Sequence, residues 1–330
     1  VRNPVNLLVL VLALLALGCG RSSHRPKREV TPVTSPSSAQ TTSSTARPSA
    51  ELEPLELLRL PVAAYHVALA ADEDAAYLLT SSSAYRLEPG QQPRQFVLDL
   101  GEGPVMTGSS FVYWSKGAVW RAPKSGGVPQ KLASVPHKPQ YFATSGDYWV
   151  WLDRTDEGRC TIRTLDRQKQ RVVYEAQGEI DALTMMNDWA FFAERVGDRG
   201  WRLGGVSRAG GHAAYSAVKQ GRSPAMLVAN DRDIYYYDIN RIAFRRISSD
   251  LHNEEVILEN FVCSPIALSQ RVHCGQVEGL VELAPNRPHE PRLLTPGRNA
   301  PITAIAANSS YVAWVVDIGA NQLAVRALAR

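Results

Sequence analysis

Phe111–Val112–Tyr113–Trp114 reads as a strand buried on both faces, and the chain repeats it. Clusters of the same β-branched and aromatic character stand at Tyr148–Trp151, Trp189–Phe192, Ile234–Tyr237 and Tyr311–Trp314. Degenerate copies occur at Ala76–Leu79 and Arg271–Cys274. A period of roughly 35–45 residues is that of a repeat protein built from four-stranded propeller blades. The expectation is an all-β, seven-bladed β-propeller over residues 51–330, with six blades and one irregular insertion as the alternative.

Working outward from the cluster, each repeat has one grammar. A strand of small and aliphatic residues precedes it: His66–Ala70, Val105–Gly108, Tyr141–Thr144, Leu183–Met186, Met226–Ala229, Ile266–Ser269 and Ile302–Ala306. Small side chains suit the innermost strand, where blades converge. Turn formers such as Asp72–Asp74, Asn187–Asp188 and Asn230–Asp233 lead into the cluster, fitting left-handed or Asx geometry. A third strand alternates, as in Ala118–Arg121, Thr161–Thr164 and Ile242–Arg245, and Gly126–Gly127 and Gly210–Gly211 turn toward a fourth. Pro104, Pro139, Pro224, Pro265 and Pro301 sit just before first strands, where a missing N–H is harmless.

Closure follows from counting strands. After Tyr311–Trp314 there is sequence for a third strand, near Gln322–Leu328, and none for a fourth. Glu53–Leu60 resembles the fourth strands at Glu254–Leu258 and Glu290–Leu294. The N-terminal strand is therefore expected to complete the last blade and leave no open seam.

Ahead of the repeats, an apolar run from Leu7 to Leu17 follows Arg2. It is too short to span a hydrocarbon core of about 30 Å and reads as the core of a signal peptide, residues 1–18. Ala16–Leu17–Gly18–Cys19 resembles the lipobox of bacterial lipoproteins, with Ala16 where leucine is commonest. The resemblance implies a lipidated Cys19, and Gly20 after it implies the outer membrane; an ordinary secretory signal is the alternative. Between Thr31 and Ala50, Ser, Thr and Pro fill 14 of 20 positions. Residues 19–50 therefore read as a disordered tether, with a reach on the order of 30 Å.

The chain is 45% apolar and 21% charged, enough for a sizeable core. Its net charge of +4 belongs to the leader and tether: Arg2, Arg21, Arg25, Lys27, Arg28 and Arg47 outweigh Glu29 by five, which leaves residues 51–330 at −1. A nucleic-acid partner for the body loses its compositional support.

Over residues 52–330 the pattern resembles the YWTD and TolB-like propellers. Tyr113–Trp114–Ser115 and Arg121–Ala122–Pro123–Lys124–Ser125–Gly126–Gly127 come nearest to their repeats. The chain carries no Tyr-Trp-Thr-Asp and no Ser-Pro-Asp-Gly, so the specific functions of those families attach to no residue here.

Chemistry-bearing residues are sparse. Cys263 and Cys274 flank one hairpin, where in-register pairing in an oxidising compartment favours a disulfide over two buried thiols. Cys160 is left over, and no C-x-x-C occurs. The histidines of the body show no metal-ligand spacing, no G-x-S-x-G is present, and no cofactor is implied. Asp72–Asp74 and Asn230–Asp233 are acidic enough for weak calcium binding but read better as turns. The remaining asymmetry is charge on one end of the blades. The loops after the second strands of blades 3 and 4 carry Asp153, Arg154, Asp156, Arg195 and Asp198, and the blade connections add His137, Lys138, Lys219, Arg222 and Arg298.

Loops on a rigid scaffold carry function. The expected role is a lipid-anchored envelope module, a monomer that binds protein or cell-wall glycan through this rim. The rival is an envelope enzyme of lyase, hydrolase or quinoprotein type with its site at the channel mouth. The aliphatic first strands offer little for catalysis and favour binding.

Overall fold

Every aromatic cluster is the second strand of an antiparallel sheet. The computed structural model describes residues 53–62, 67–98, 101–155, 158–166, 169–276, 278–284, 287–296 and 300–329; Cys19 and the rest of the leader and tether lie outside them. The described residues form seven sheets and no helix.

Blade 1 is Ala68–Ala71, Ala76–Leu79, Ser83–Leu87 and Arg94–Leu98. Blade 2 is Glu102–Met106, Ser110–Ser115, Ala118–Pro123 and Gln130–Ser134, and blade 3 is Tyr141–Ser145, Tyr148–Arg154, Cys160–Asp166 and Lys169–Glu175. Blade 4 has Ile180–Met186, Trp189–Val196 and Gly200–Ser207, and its fourth position is split between Ala214–Tyr215 and Lys219–Gln220. Blade 5 is Leu227–Ala229, Asp233–Asp238, Ala243–Ser248 and Glu254–Glu259. Blade 6 is Ile266–Leu268, Val272–Gly275, Gly279–Ala284 and Arg287–Pro296. Blade 7 takes Ile302–Ala307, Tyr311–Gly319 and Gln322–Ala329 from the C-terminus, and Leu55–Leu60 pairs antiparallel with its third strand. Seven blades closed by an N-terminal strand is thus the architecture.

First strands of neighbouring blades touch around a closed ring, and a separate apolar cluster fills each blade-to-blade interface. Tyr113 packs on blade 1, Trp151 on blade 2, Phe192 on blade 3, Tyr236 on blade 4 and Trp314 on blade 6. Each is a second-strand residue facing the preceding blade. Such side chains bury 150–250 Å² or so apiece and dominate core energetics.

Blade 6 lacks this aromatic and has Cys274 in its place, disulfide-bonded to Cys263. The ladder pairs Cys274 with Ile266, not with Cys263. The bridge therefore staples the segment before the first strand onto the second, with Cα atoms 4.8 Å apart, instead of joining residues opposed in register. Closing a loop of this length is worth about 3 kcal/mol on the chain-entropy account.

Asp72 ties the seam from the end of the blades that carries the first-to-second turns. Its Oδ1 accepts from the N–H groups of Asp74 and Ala75, and its Oδ2 from Tyr77 Oη at 3.0 Å and Lys124 Nζ at 2.5 Å. Its carbonyl accepts from Asn308 Nδ2 at 2.7 Å, so blades 7, 1 and 2 meet on one residue. Burial alone would raise this carboxyl, but the hydrogen bonds from Lys124, the Ala75 N–H and Tyr77 hold it below its ordinary 3.8. A folded pKa below the unfolded one gives stability that is present above the unfolded value and lost as pH falls through the folded one. Asp72→Asn is expected to cost about 1–2 kcal/mol at neutral pH. In urea titrations the gap to the parent should close as pH falls below 3.8; a gap that stays constant through acid titration rejects the clamp.

Candidate binding face

The end of the blades that carries the second-to-third hairpins and the blade connections is called here the loop face. In blade 3 the hairpin leaves Arg154 and is closed by Thr155 N–H to the Arg159 carbonyl at 2.9 Å, with Gly158 at φ 80°. Asp156 and Arg298 lie outside the described residues. In blade 4 the ladder runs out to Val196–Gly200, and Gly197 at φ 60° makes the tight tip on which Asp198 stands exposed.

Two acids that the sequence reading passed over organise this rim. Glu179 and Asp181 come from the connection into blade 4 and its first strand. Arg154 Nη2 meets Glu179 Oε1 at 2.6 Å, and Arg195 Nη1 meets Glu179 Oε2 at 2.7 Å. Arg195 also forks onto Asp181, Nε to Oδ2 at 2.7 Å and Nη2 to Oδ1 at 2.9 Å, while Ser223 Oγ donates to the same Oδ2. Tyr141 stands nearby, its phenol pushed up by burial and by the Asp181 charge. Arginine forks on carboxylates are among the stronger charged contacts. The result is a brace across blades 3 and 4 and the connection into blade 5. The acidic pair at 179 and 181, beside hairpins that carry arginine, is a signal readable in the sequence.

The other expected residues divide. Asp153 bonds within its own hairpin, to Arg163 Nε at 3.0 Å. His137 is exposed on the connection from blade 2 to blade 3. Arg222 has its backbone held by Asn240, whose Oδ1 accepts from Arg222 N–H at 2.8 Å and whose Nδ2 donates to Arg222 O at 2.7 Å. Lys219 does not belong to the rim. Its ammonium turns in between blades 4 and 5, donating to Glu254 and to Tyr236 Oη, 5.2 Å from the Trp201 ring centroid. Burial lowers its pKa against the opposing pull of Glu254.

Beneath the rim, Glu194 is fully buried. It accepts from Tyr174 Oη at 3.0 Å, Gln177 N–H at 2.7 Å, Gly178 N–H at 3.3 Å, and Arg202 Nε and Nη2 at 3.0 and 2.8 Å. Arg202 in turn stacks 3.6 Å over the Tyr215 ring. This bond set fixes the connection from which Glu179 projects.

Chemically, Glu179 and Asp181 are engaged by arginine and serine donors from neighbouring loops, which makes a braced, mixed-charge surface. Among the described residues no group of three or more His, Cys, Asp or Glu could hold a metal ion. A groove of about 490 Å³ runs along the outer strands of blades 7 and 1, and a cavity of about 90 Å³ lies between blades 5 and 6 at the opposite end of the blades.

No family model matches the sequence, and no curated protein matches it. Solved structures do. The chain is similar to the β-propeller domain of Cps50 (Swd1) from Myceliophteria thermophila, at TM-score 0.60 and 8% identity over 83% of this chain and 99% of that one. It is similar to the WD40 domain of Pan2 from Neurospora crassa, at 0.59 and 9% over 85% and 97%. To a putative TolB from Agrobacterium tumefaciens it is similar at 0.47 and 14% over 62% and 81%, too little to argue from. At these identities what is shared is the β-propeller fold, and the fold alone.

Proposed function

We propose that this protein is a lipoprotein of the bacterial envelope, anchored through Cys19, whose propeller binds another protein by its loop face. The observation that carries the reading is the brace of Arg154, Glu179, Arg195, Asp181 and Ser223, which locks neighbouring loops into one preformed surface. Preformed loops spare a partner the entropy of ordering them. The same bonds tie up Glu179 and Asp181, which favours binding over acid–base chemistry by that pair. Anchoring is supported by the leader sequence.

A photo-crosslinking residue placed at Asp198 or His137, on the loop face, should yield a discrete protein adduct in whole cells. The same residue at Val128 or Trp189, exposed away from it, should not. Adducts from the second pair alone, or equally from both, reject the loop face. In the same cells labelled palmitate should mark the parent and not Cys19→Ser.

A further inference from the structure

The second-to-third turn of blade 5 is not the strand entry that its sequence suggests. Ile242 was expected to open the third strand, but the strand starts at Ala243 and Ile242 sits in the turn at φ 49°. Asp238 builds this turn: its Oδ1 accepts from Asn240 N–H at 3.1 Å, its carbonyl from Arg241 N–H at 3.3 Å, and its Oδ2 pairs with Arg245 Nε at 3.0 Å. Phe261 N–H then bonds the Ile242 carbonyl at 3.0 Å and fixes the strained residue beside the connection into blade 6. A left-handed β-branched residue is a genuine outlier, and strain of that kind collects at functional surfaces. Folding alone would favour Gly or Asn here.

Solvation makes the same point. Ile239 is 47% exposed, Ile242 46% and Val262 48%, all at this one end of blade 5. Single exposed aliphatics need no explanation; here three are exposed at one end of one blade.

Charge defines the partner. Arg199, Arg222 and Arg241 stand in series around the group, since Gly221 N–H bonds the Arg199 carbonyl and Asn240 clamps Arg222. Among the described residues none of the three has an acidic partner, whereas Arg154, Arg163, Arg195, Arg202, Arg245 and Arg246 are all ion-paired. Asp198 and Glu259, both exposed, stand at the margins. They would repel a continuous anionic lipid surface while setting the register of a peptide.

We propose that the loop end of blade 5 docks an acidic segment of another protein, seating an aliphatic side chain on Ile239, Ile242 and Val262 with flanking carboxylates on the three arginines. This rests on the reading that the loop face binds protein, and it names the partner's chemistry.

The test uses the full chain and three fluorescent peptides: one mixing Glu and Asp with Leu and Ile, one with Ser at each aliphatic position, and one with Lys at each acidic position. Anisotropy should show binding of the first alone, weakened by salt. Ile242→Gly and Arg222→Ser should each weaken it about tenfold or more. Ile242→Gly relieves the left-handed strain, so its melting temperature should hold or rise, and lost binding cannot then be lost folding. The proposal is overturned by affinity that neither variant changes, by equal binding of the serine peptide, or by no binding of the first peptide. It is also overturned if phosphatidylglycerol vesicles, and not the peptide, bind in an Ile242-dependent way. Adducts on the loop face together with an Ile242-independent peptide result would sink this proposal and leave the loop-face reading standing. No loop-face adduct together with no binding of the first peptide would end both.

Discussion

Glu194→Ala is expected to lower the melting temperature by roughly 6–15 °C, equivalent to about 3–5 kcal/mol in a domain of this size. The carboxylate is fully buried, and its removal strands the Arg202 guanidinium, two of whose three hydrogen bonds it accepts, beside two unpaired backbone N–H groups. A buried charge left without its partner costs far more than the intact pair contributes. Arg202→Met in the same chain removes the stranded charge, together with the guanidinium that stacks over Tyr215. The double variant should therefore lose less than the sum of the two singles. Tyr215→Phe deletes only the hydroxyl that meets Tyr174 at 2.7 Å and should cost about 1 kcal/mol. The measurement is thermal unfolding by circular dichroism. A Glu194→Ala shift under about 2 °C, or strictly additive losses with Arg202→Met, would show that this carboxylate is not what holds the connection into blade 4.

The blades were legible because their signals are local. Ala76–Leu79 was read as a second strand from four residues, and the structure has that strand at the same bounds. Asn230 and Asp72 read as turn formers, and each accepts backbone N–H bonds from the residues just after it. The closing strand was legible too, because an unpaired edge must be covered and only one unassigned strand remained. What escaped was non-local. Lys219 looks like any surface lysine until Glu254, in the next blade, draws its ammonium inward. Glu194 sits in a strand whose alternation gives no hint that Arg202, Tyr174 and two amides converge on it. Ile242 has strong strand propensity, and only the hydrogen bonds of Asp238 and Phe261 put it into a left-handed turn. Propensity is a weak prior wherever tertiary bonds set the backbone. At the rim the sequence offers charged residues on hairpins and connections, of which Lys219 turns inward, while the pairing of Arg154 and Arg195 with Glu179 and Asp181 is a property of the assembled blades.

Deleting residues 53–60 should bring the chain to the edge of unfolding. Leu55–Leu60 contributes the outer strand of blade 7, in register from Leu55 opposite Ala327 to Leu60 opposite Leu323. Leu57, Leu58 and Leu60 pack on the cluster between blades 7 and 1. Half-burying three leucines is worth about 3 kcal/mol, and the lost ladder adds about 3–5 kcal/mol net. That sum rivals the whole stability of a typical domain, about 5–15 kcal/mol. The deletion also opens Gln322–Ala329, a strand with a single charge, as a bare edge ready to pair with another molecule. The truncated chain should therefore aggregate on mild warming. A synthetic peptide of residues 53–60 should refill the edge by strand addition. Binding only the folded state, it should raise the melting temperature with concentration, by about 2.7 kcal/mol of stability at a hundred times its Kd. A scrambled peptide should do nothing. Truncation that leaves a monomer of unchanged melting temperature would mean that blade 7 is stable with three strands and that Leu55–Leu60 decorates the seam without closing it.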